Sequence, residues 1–146
     1  MTNIPIKRLR EGAIFPAYAT ADSVGADLFA CPDAPVTLAP HETVMIPLGY
    51  SIALPAGWVG LIFARSGLAS KRDLAPANKV GVVDPDYRGE WMVPLHNHGS
   101  EPRTVQPGER IAQLVIVPCM TAAFEEVEEL DETERGAGGF GSTGTN

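Results

Sequence analysis

The stretch RGAGGFGSTG, Arg135 to Gly144, holds an arginine, five glycines, a phenylalanine and two hydroxyl side chains. Glycine opens backbone conformations closed to other residues and lets main-chain N–H groups approach an anion, and arginine adds a planar fork of donors suited to phosphate. The same composition suits a flexible terminal tail. A plain linker, however, has no use for the Arg135 fork or the Phe140 ring. A nucleotide-binding P-loop matches poorly, because no lysine followed by Ser or Thr is present and no apolar strand leads in. The chemistry suggested is the wrapping of a phosphate chain.

Four further stretches combine charge with glycine: VGADLFA at 24–30, ARSGLA at 64–69, GVVDPDYRGE at 81–90 and GERIAQL at 108–114. Singly, each has an ordinary explanation as a turn carboxylate, a surface turn, a hairpin tip or a strand glutamine bonded to backbone. Together, in this order and with the glycine-rich run last, they resemble the five motifs of the trimeric deoxyuridine triphosphate nucleotidohydrolases, the dUTPases. The resemblance spans nearly the whole chain. It departs from the family at Ala64, where many relatives carry proline before Arg-Ser-Gly, and at SKRDLAP, which leaves Lys71 and Arg72 without a transferred role.

The resemblance implies hydrolysis of dUTP to dUMP and pyrophosphate with Mg2+. Asp84 matches the aspartate that orients and deprotonates the attacking water, a role suited to a carboxylate on a rigid mount. Asp86 fits the plainer role of turn residue. Asp27 matches the aspartate that holds hydrated magnesium through water, in keeping with that ion's reluctance to dehydrate; its alternative is a satisfied turn carboxylate. Arg65 and Ser66 match the pair that grips the phosphates, with the Ser66 and Gly67 N–H groups as further donors. Gln113 matches the glutamine beside the α-phosphate and the water.

Uracil presents acceptor, donor, acceptor along one edge, and the segment from Asn78 to Met92, read as a hairpin, is implied to mirror it. Asn78 stands six residues before Asp84, as the family's base-contacting asparagine does, and Val82 and Val83 supply backbone and walls; Met92 is a further candidate, with a place in the core as its alternative. A close-walled slot excludes the thymine methyl by clash. Tyr87 matches the tyrosine packed on the sugar, where a ribose 2′-hydroxyl collides; a hairpin aromatic paired across strands is the alternative. In the tail, Phe140 is implied to stack on uracil, Arg135 to reach the γ-phosphate, and Gly141, Ser142 and Thr143 to wrap the triphosphate.

The elements that position these residues are short strands. Thirteen prolines and fifteen glycines divide the chain into brief runs rich in Val, Ile and Leu, leaving little room for helices of ordinary length. In WVGLIFAR and RIAQLVIVP both alternating faces are apolar, which predicts strands covered on both sides, within a sandwich or between subunits. In the second of these Gln113 shares a face with Ile111, Val115 and Val117. LASKRDL suggests one helical turn, and FEEVEEL a strand despite the three-residue spacing of Phe124, Val127 and Leu130. The fold class expected is all-β. With the resemblance it becomes a jelly-roll-like β-barrel over residues 1–134, assembled as a homotrimer, with residues 135–146 a flexible arm closing over a site built from several chains.

The formal charge of −7 argues against a nucleic-acid surface, and the longest apolar run is too short to cross a membrane. Cys31 and Cys119 fit neither a disulfide framework nor a zinc pattern, and the start lacks an apolar stretch of signal-peptide length, so a cytoplasmic location is expected. His96 and His98 share a strand face but have no third ligand nearby, which favours surface histidines over zinc. Two rivals stand beside the hydrolase reading: a dCTP deaminase of the same fold, and a deoxynucleotide-binding regulatory module that does not catalyse.

Overall fold

The computed structural model describes residues 3–139. In chain order the elements are β1 (Ile6–Arg8), β2 (Ala26–Phe29), β3 (Val36–Leu38), β4 (Thr43–Pro47), β5 (Tyr50–Ile52), β6 (Trp58–Phe63), α1 (Ser66–Arg72), β7 (Leu74–Pro76), β8 (Gly81–Val83), β9 (Met92–Asn97), β10 (Arg103–Val105) and β11 (Arg110–Pro118). All ladders between these strands are antiparallel. A four-stranded sheet runs β2-β11-β6-β8 and a three-stranded sheet β4-β9-β7, with β1-β5 and β10-β3 as two-stranded pieces. This is the jelly-roll-like, all-β architecture expected, with one seven-residue helix where LASKRDL suggested a turn.

Period-two burial drives the packing. In β9, Val93, Leu95 and Asn97 turn inward while Met92, Pro94 and His96 face out. The inward residues meet Leu28, Leu38, Ile46, Tyr50, Leu74, Trp91 and Leu114 in one buried cluster. Asn97 is fully buried, yet its Nδ2 donates to the carbonyls of Leu38, Ala39 and Glu101 and its Oδ1 accepts from Gly99 N. A buried amide satisfied in this way carries no desolvation debt. Gly60 lets Trp91 lie against the larger sheet, because a Cβ there would stand 3.1 Å from the indole.

Three expectations change. The run from Lys79 to Leu95 is not a hairpin: β8 pairs with β6, whereas β9 lies between β4 and β7, so residues 84–90 form a corner between two sheets. Asp-Pro-Asp and Arg-Gly mark a reversal equally well in both geometries, and only the distant partner strands decide between them. FEEVEEL forms neither strand nor helix; Phe124 is 98% exposed and Leu130 84%. Ile111 leaves the face expected to hold it with Gln113 and is fully buried beside Ala112, because a register shift lies between Arg110 and Ala112. The rings of His96 and His98 meet edge to face, 4.4 Å between centroids, with His96 Nδ1 2.8 Å from Thr43 Oγ1. Burial and the neighbouring imidazole push His98 below its ordinary pKa.

Among the described residues no helix is long and apolar enough to cross a membrane. The turn between β4 and β5 depends on Gly49, whose φ is +81° and whose Cβ would lie 2.7 Å from Ala13 Cβ and 2.9 Å from Cys31 Sγ. Gly49→Ala is expected to lose about 2–5 kcal/mol, from left-handed backbone and overpacking together. The check is the urea midpoint at fixed protein concentration; an unmoved midpoint would show that the turn accepts a side chain.

Candidate functional site

Strand β11 lies between β2 and β6, and its register places Gln113 opposite Asp27 on one side and opposite Phe63 on the other. Directly after β6 the chain stays extended through Arg65, at φ −87° and ψ 129°, before turning into α1. This brings Arg65 Nε to 2.7 Å from Asp27 Oδ1. Arg110 Nη1 reaches the other oxygen, Oδ2, at 3.1 Å. Gln113 Nε2 donates to the Ala64 carbonyl at 2.8 Å, fixing the residue before the Arg-Ser-Gly turn. Gly25 is glycine for a reason of space, since a Cβ there would sit 2.5 Å from Gln113 Oε1.

These side chains surround a cavity of about 400 Å³, with Ser66, Gly67 and Ser23 completing its wall. Two guanidiniums against one carboxylate leave it locally positive in a chain of formal charge −7. A second groove of about 370 Å³ continues from Arg65 and Gly67 to Lys71 and Arg72. Arg72 is committed to structure, bonded to Glu109 and to the Thr104 carbonyl. The arrangement is chemically fit for a chain of phosphates: fixed donors, net positive charge and a neutral amide.

Val82, Val83, Asp84, Tyr87 and Met92 line a different cavity of about 270 Å³, with Trp91 behind them. Because β8 is the last strand of its sheet, its outer edge of N–H and C=O groups has no strand partner among the described residues. Such an edge can pair with a planar ring as it would with another strand. Asn78 lies beside this edge, its Nδ2 3.4 Å from where a Gly81 Cβ would be, and does not line the cavity. Tyr87 is folded back over the corner: its hydroxyl donates to the Glu90 carbonyl at 3.1 Å, in space that a Cβ on Gly89 would fill.

The two cavities share no lining residue. Within one chain, therefore, Asp84, Val82, Val83, Tyr87 and Met92 stand in one place while Arg65, Ser66, Gly67, Asp27 and Gln113 stand in another. Arg135 lines neither; it closes a local turn with Nε on the Gly138 carbonyl at 2.9 Å. Phe140, Gly141, Ser142 and Thr143 lie outside the described residues. Among the described residues no group of three or more His, Cys, Asp or Glu side chains is placed to hold a metal.

Arg110 is the functional residue that motif reading passes over. It stands three positions from Gln113, which in a regular strand puts it on the opposite face; the register shift between Arg110 and Ala112 reverses that and sends both side chains into one cavity. Glu90 and Met45 were also missed as neighbours of Asp84, and Met45 comes from β4, far away in sequence.

A family model described as dUTPase matches residues 11–144. The deoxyuridine 5'-triphosphate nucleotidohydrolase of Syntrophotalea carbinolica is 48% identical over 141 residues, 97% of this chain and 96% of the relative. The protein of the same name from Desulfitobacterium hafniense is 53% identical over 132 residues, 90% and 87% of the two chains. Among solved structures, the Staphylococcus bacteriophage 80alpha dUTPase with dUPNHPP aligns with a TM-score of 0.86 and 30% identity, covering 99% of this chain and 100% of that one. A mutant dUTPase from phage phi11 of S. aureus, described with a structural Mg(II) ion, aligns at 0.82 with 25% identity over 90% and 100%.

The contact between residue 25 and the carboxamide is open to test. Gly25→Ala is expected to keep the fold at a cost of about 1–3 kcal/mol and to shift the Gln113 side-chain amide resonances in a ¹H–¹⁵N spectrum. Unshifted resonances would show that the carboxamide does not rest against that backbone.

Proposed function

The chain belongs to the dUTPase family, and from that premise we propose that it hydrolyses dUTP to dUMP and pyrophosphate by attack of water at the α-phosphorus, with Asp84 as general base. The observation that carries the mechanism is the division of the site. One cavity offers a carboxylate next to a slot with an open strand edge, the other offers guanidiniums, N–H donors and a carboxamide. Neither suffices alone, and joining the slot of one copy to the phosphate cavity of another makes a whole site.

Apolar surface left open on the single chain supports such joining. Val82 is 64% exposed. It pairs with Leu61, which pairs with Val115, while Val59 pairs with Val117, and these four are only half-buried, so a continuous apolar strip faces outward. The expectation of strands covered on both sides is met here on one side only. With Phe124 and Leu130 exposed as well, this surface suits burial between copies, in the homotrimer that the resemblance implies.

On this reading Val82, Val83 and Met92 enclose uracil against the β8 edge, Asn78 steadies the start of that strand, and Tyr87 packs on the deoxyribose. Arg65, Arg110 and the Ser66 and Gly67 N–H groups hold the phosphates. Gln113 orients the water from which Asp84 takes a proton; as the water oxygen bonds to the α-phosphorus, the bond to the bridging oxygen breaks, pyrophosphate leaves with its electron pair, and the proton on Asp84 passes to solvent. Arg135, Phe140, Gly141, Ser142 and Thr143 close over the occupied site, excluding bulk water. Such an activity in the cytoplasm limits uracil incorporation into DNA and supplies dUMP for thymidylate synthesis.

Magnesium finds no protein cage here, since both Asp27 oxygens are engaged by arginines and no acidic cluster stands near among the described residues. The donor set suits an ion carried mainly by the triphosphate and water, with Asp27 in its outer sphere. When bound, the ion neutralises phosphate charge. Asp27 also aims the two guanidiniums, and that role needs no metal.

Two experiments test the reading. Asp84→Asn is expected to lower kcat by about 10²–10⁴-fold while a non-hydrolysable dUTP analogue binds as before; parallel loss of both would assign Asp84 to binding or folding. Mixing and reassembling inactive Asp84→Asn and Arg65→Ala chains is expected to restore pyrophosphate release, because some sites then draw an intact slot from one chain and an intact phosphate cavity from another. Persistent inactivity of the mixture would mean that both residues act from one chain.

A further inference from the structure

Tyr87 sits on an exposed corner, about half in solvent, with one part of its ring resting against the Gly89 backbone. Its one polar tether is the hydrogen bond to the Glu90 carbonyl. What holds Glu90 therefore decides where the phenol stands.

Glu90 is held from the far end of the sequence. Its Oε1 accepts from Arg10 Nε at 2.6 Å and from Gly49 N at 3.2 Å, and its Oε2 accepts from Arg10 Nη2 at 3.2 Å. Arg10 is itself fixed to the same turn, with Leu9 N and Arg10 N donating to the Gly49 carbonyl at 2.8 and 3.0 Å. The next residue closes the frame, as Trp91 N donates to the Tyr50 carbonyl at 2.9 Å. Bidentate pairing fixes orientation as well as distance. The Glu90 side chain is 23% exposed and the Arg10 side chain 34%, so the pair is partly shielded, whereas the extra contact from Arg10 to Asp33 at 3.4 Å reaches a fully solvated carboxylate and contributes little. The hydrogen bond and charge of Glu90 push Arg10 further above its already high pKa, so the fork stays charged.

We infer that Arg10 and Glu90 are positioning residues for sugar selection: their fork, seated on the Gly49 turn, sets the Glu90 carbonyl and through it the Tyr87 ring that rejects a ribose 2′-hydroxyl. The inference rests on the reading of Tyr87 as the sugar contact. Arg10 lines neither cavity, and Glu90, part of the wall beside Asp84, acts in this account through the carbonyl that holds the phenol. Loosening the fork lets the phenol swing away and admits the extra hydroxyl, so the effect falls on discrimination and not on the chemical step.

The test compares kcat/KM for dUTP and UTP in wild-type protein, Glu90→Gln, Arg10→Met and Tyr87→Ala, each as the assembled full chain. Glu90→Gln keeps an oxygen for Gly49 N and removes the charge. The dUTP/UTP ratio is expected to fall about tenfold in both fork variants, mainly because UTP turnover rises, with Arg10→Lys restoring the ratio only in part because it lacks the fork. A purely structural role would lower both substrates together, leave the ratio intact and overturn the inference. If Tyr87→Ala collapses the ratio and the fork variants do not, the inference fails and the Tyr87 reading stands. If Tyr87→Ala leaves the ratio unchanged, both fail. Should one fork variant misfold, the other decides by the same ratio.

Discussion

The seating of β11 between β2 and β6 is the constraint on which everything near the phosphate cavity depends. A single register places Asp27, Gln113 and Phe63 in one row across three strands. A slip of one residue in an antiparallel ladder turns every side chain to the opposite face, which would send Gln113 into the core and Leu114 into solvent. The apolar residues Ala112, Leu114 and Ile62, all buried, hold the register against that slip. The polar row is thus positioned by hydrophobic burial on the other side of the same strands, and the site inherits the stiffness of the core.

Within the row the electrostatics are arranged as a relay of restraint. A guanidinium that faces an anionic ligand must be ordered before the ligand arrives, or its rotamer freedom is lost on binding. Asp27 supplies that order for Arg65 and Arg110 at once, one oxygen to each. The carboxylate cancels only part of their charge, so a phosphate still meets net positive potential. The carboxamide of Gln113, tied to Ala64, adds a dipole without adding charge. The fork of Arg10 on the Glu90 carboxylate repeats the pairing of guanidinium and carboxylate beside the other cavity.

Much of this was legible in the sequence because it is local. Strand periodicity marked β6 and β11, and Asp84, Tyr87, Arg65 and Gln113 stand in contiguous stretches that, taken together and in order, resemble the family's motifs. What was hidden is non-local. The corner at residues 84–90 has the turn residues of a hairpin, and only the distant strands that pair with β8 and β9, β6 and β4, reveal the crossing between sheets. The bulge that turns Arg110 into the cavity has no marker in GERIAQL. Glu90 meets an arginine eighty positions earlier, and the reason residue 25 is glycine lies in a side chain from β11. The exposed Phe124 and Leu130 defeat single-chain pattern reading, since their spacing answers to no surface of their own chain.

A divided site has a thermodynamic consequence that a self-contained one lacks. If the slot of one copy and the phosphate cavity of another grip opposite ends of one nucleotide, the ligand binds the assembly and not the separated chains. Linkage then requires that ligand favour assembly by RT ln(1 + [L]/Kd), and that assembly favour ligand by the same amount. The outward strip of Val59, Leu61, Val82, Val115 and Val117 belongs to the same accounting of surfaces, because burying it between copies offsets the loss of translational freedom before any substrate is present. Val82 stands at the junction of the two tasks: it is the exposed end of that strip and also a wall of the slot. In an assembly that joins copies through this strip, packing against a neighbour and shaping the pocket act on one side chain, so the contact between chains would set part of the pocket's geometry.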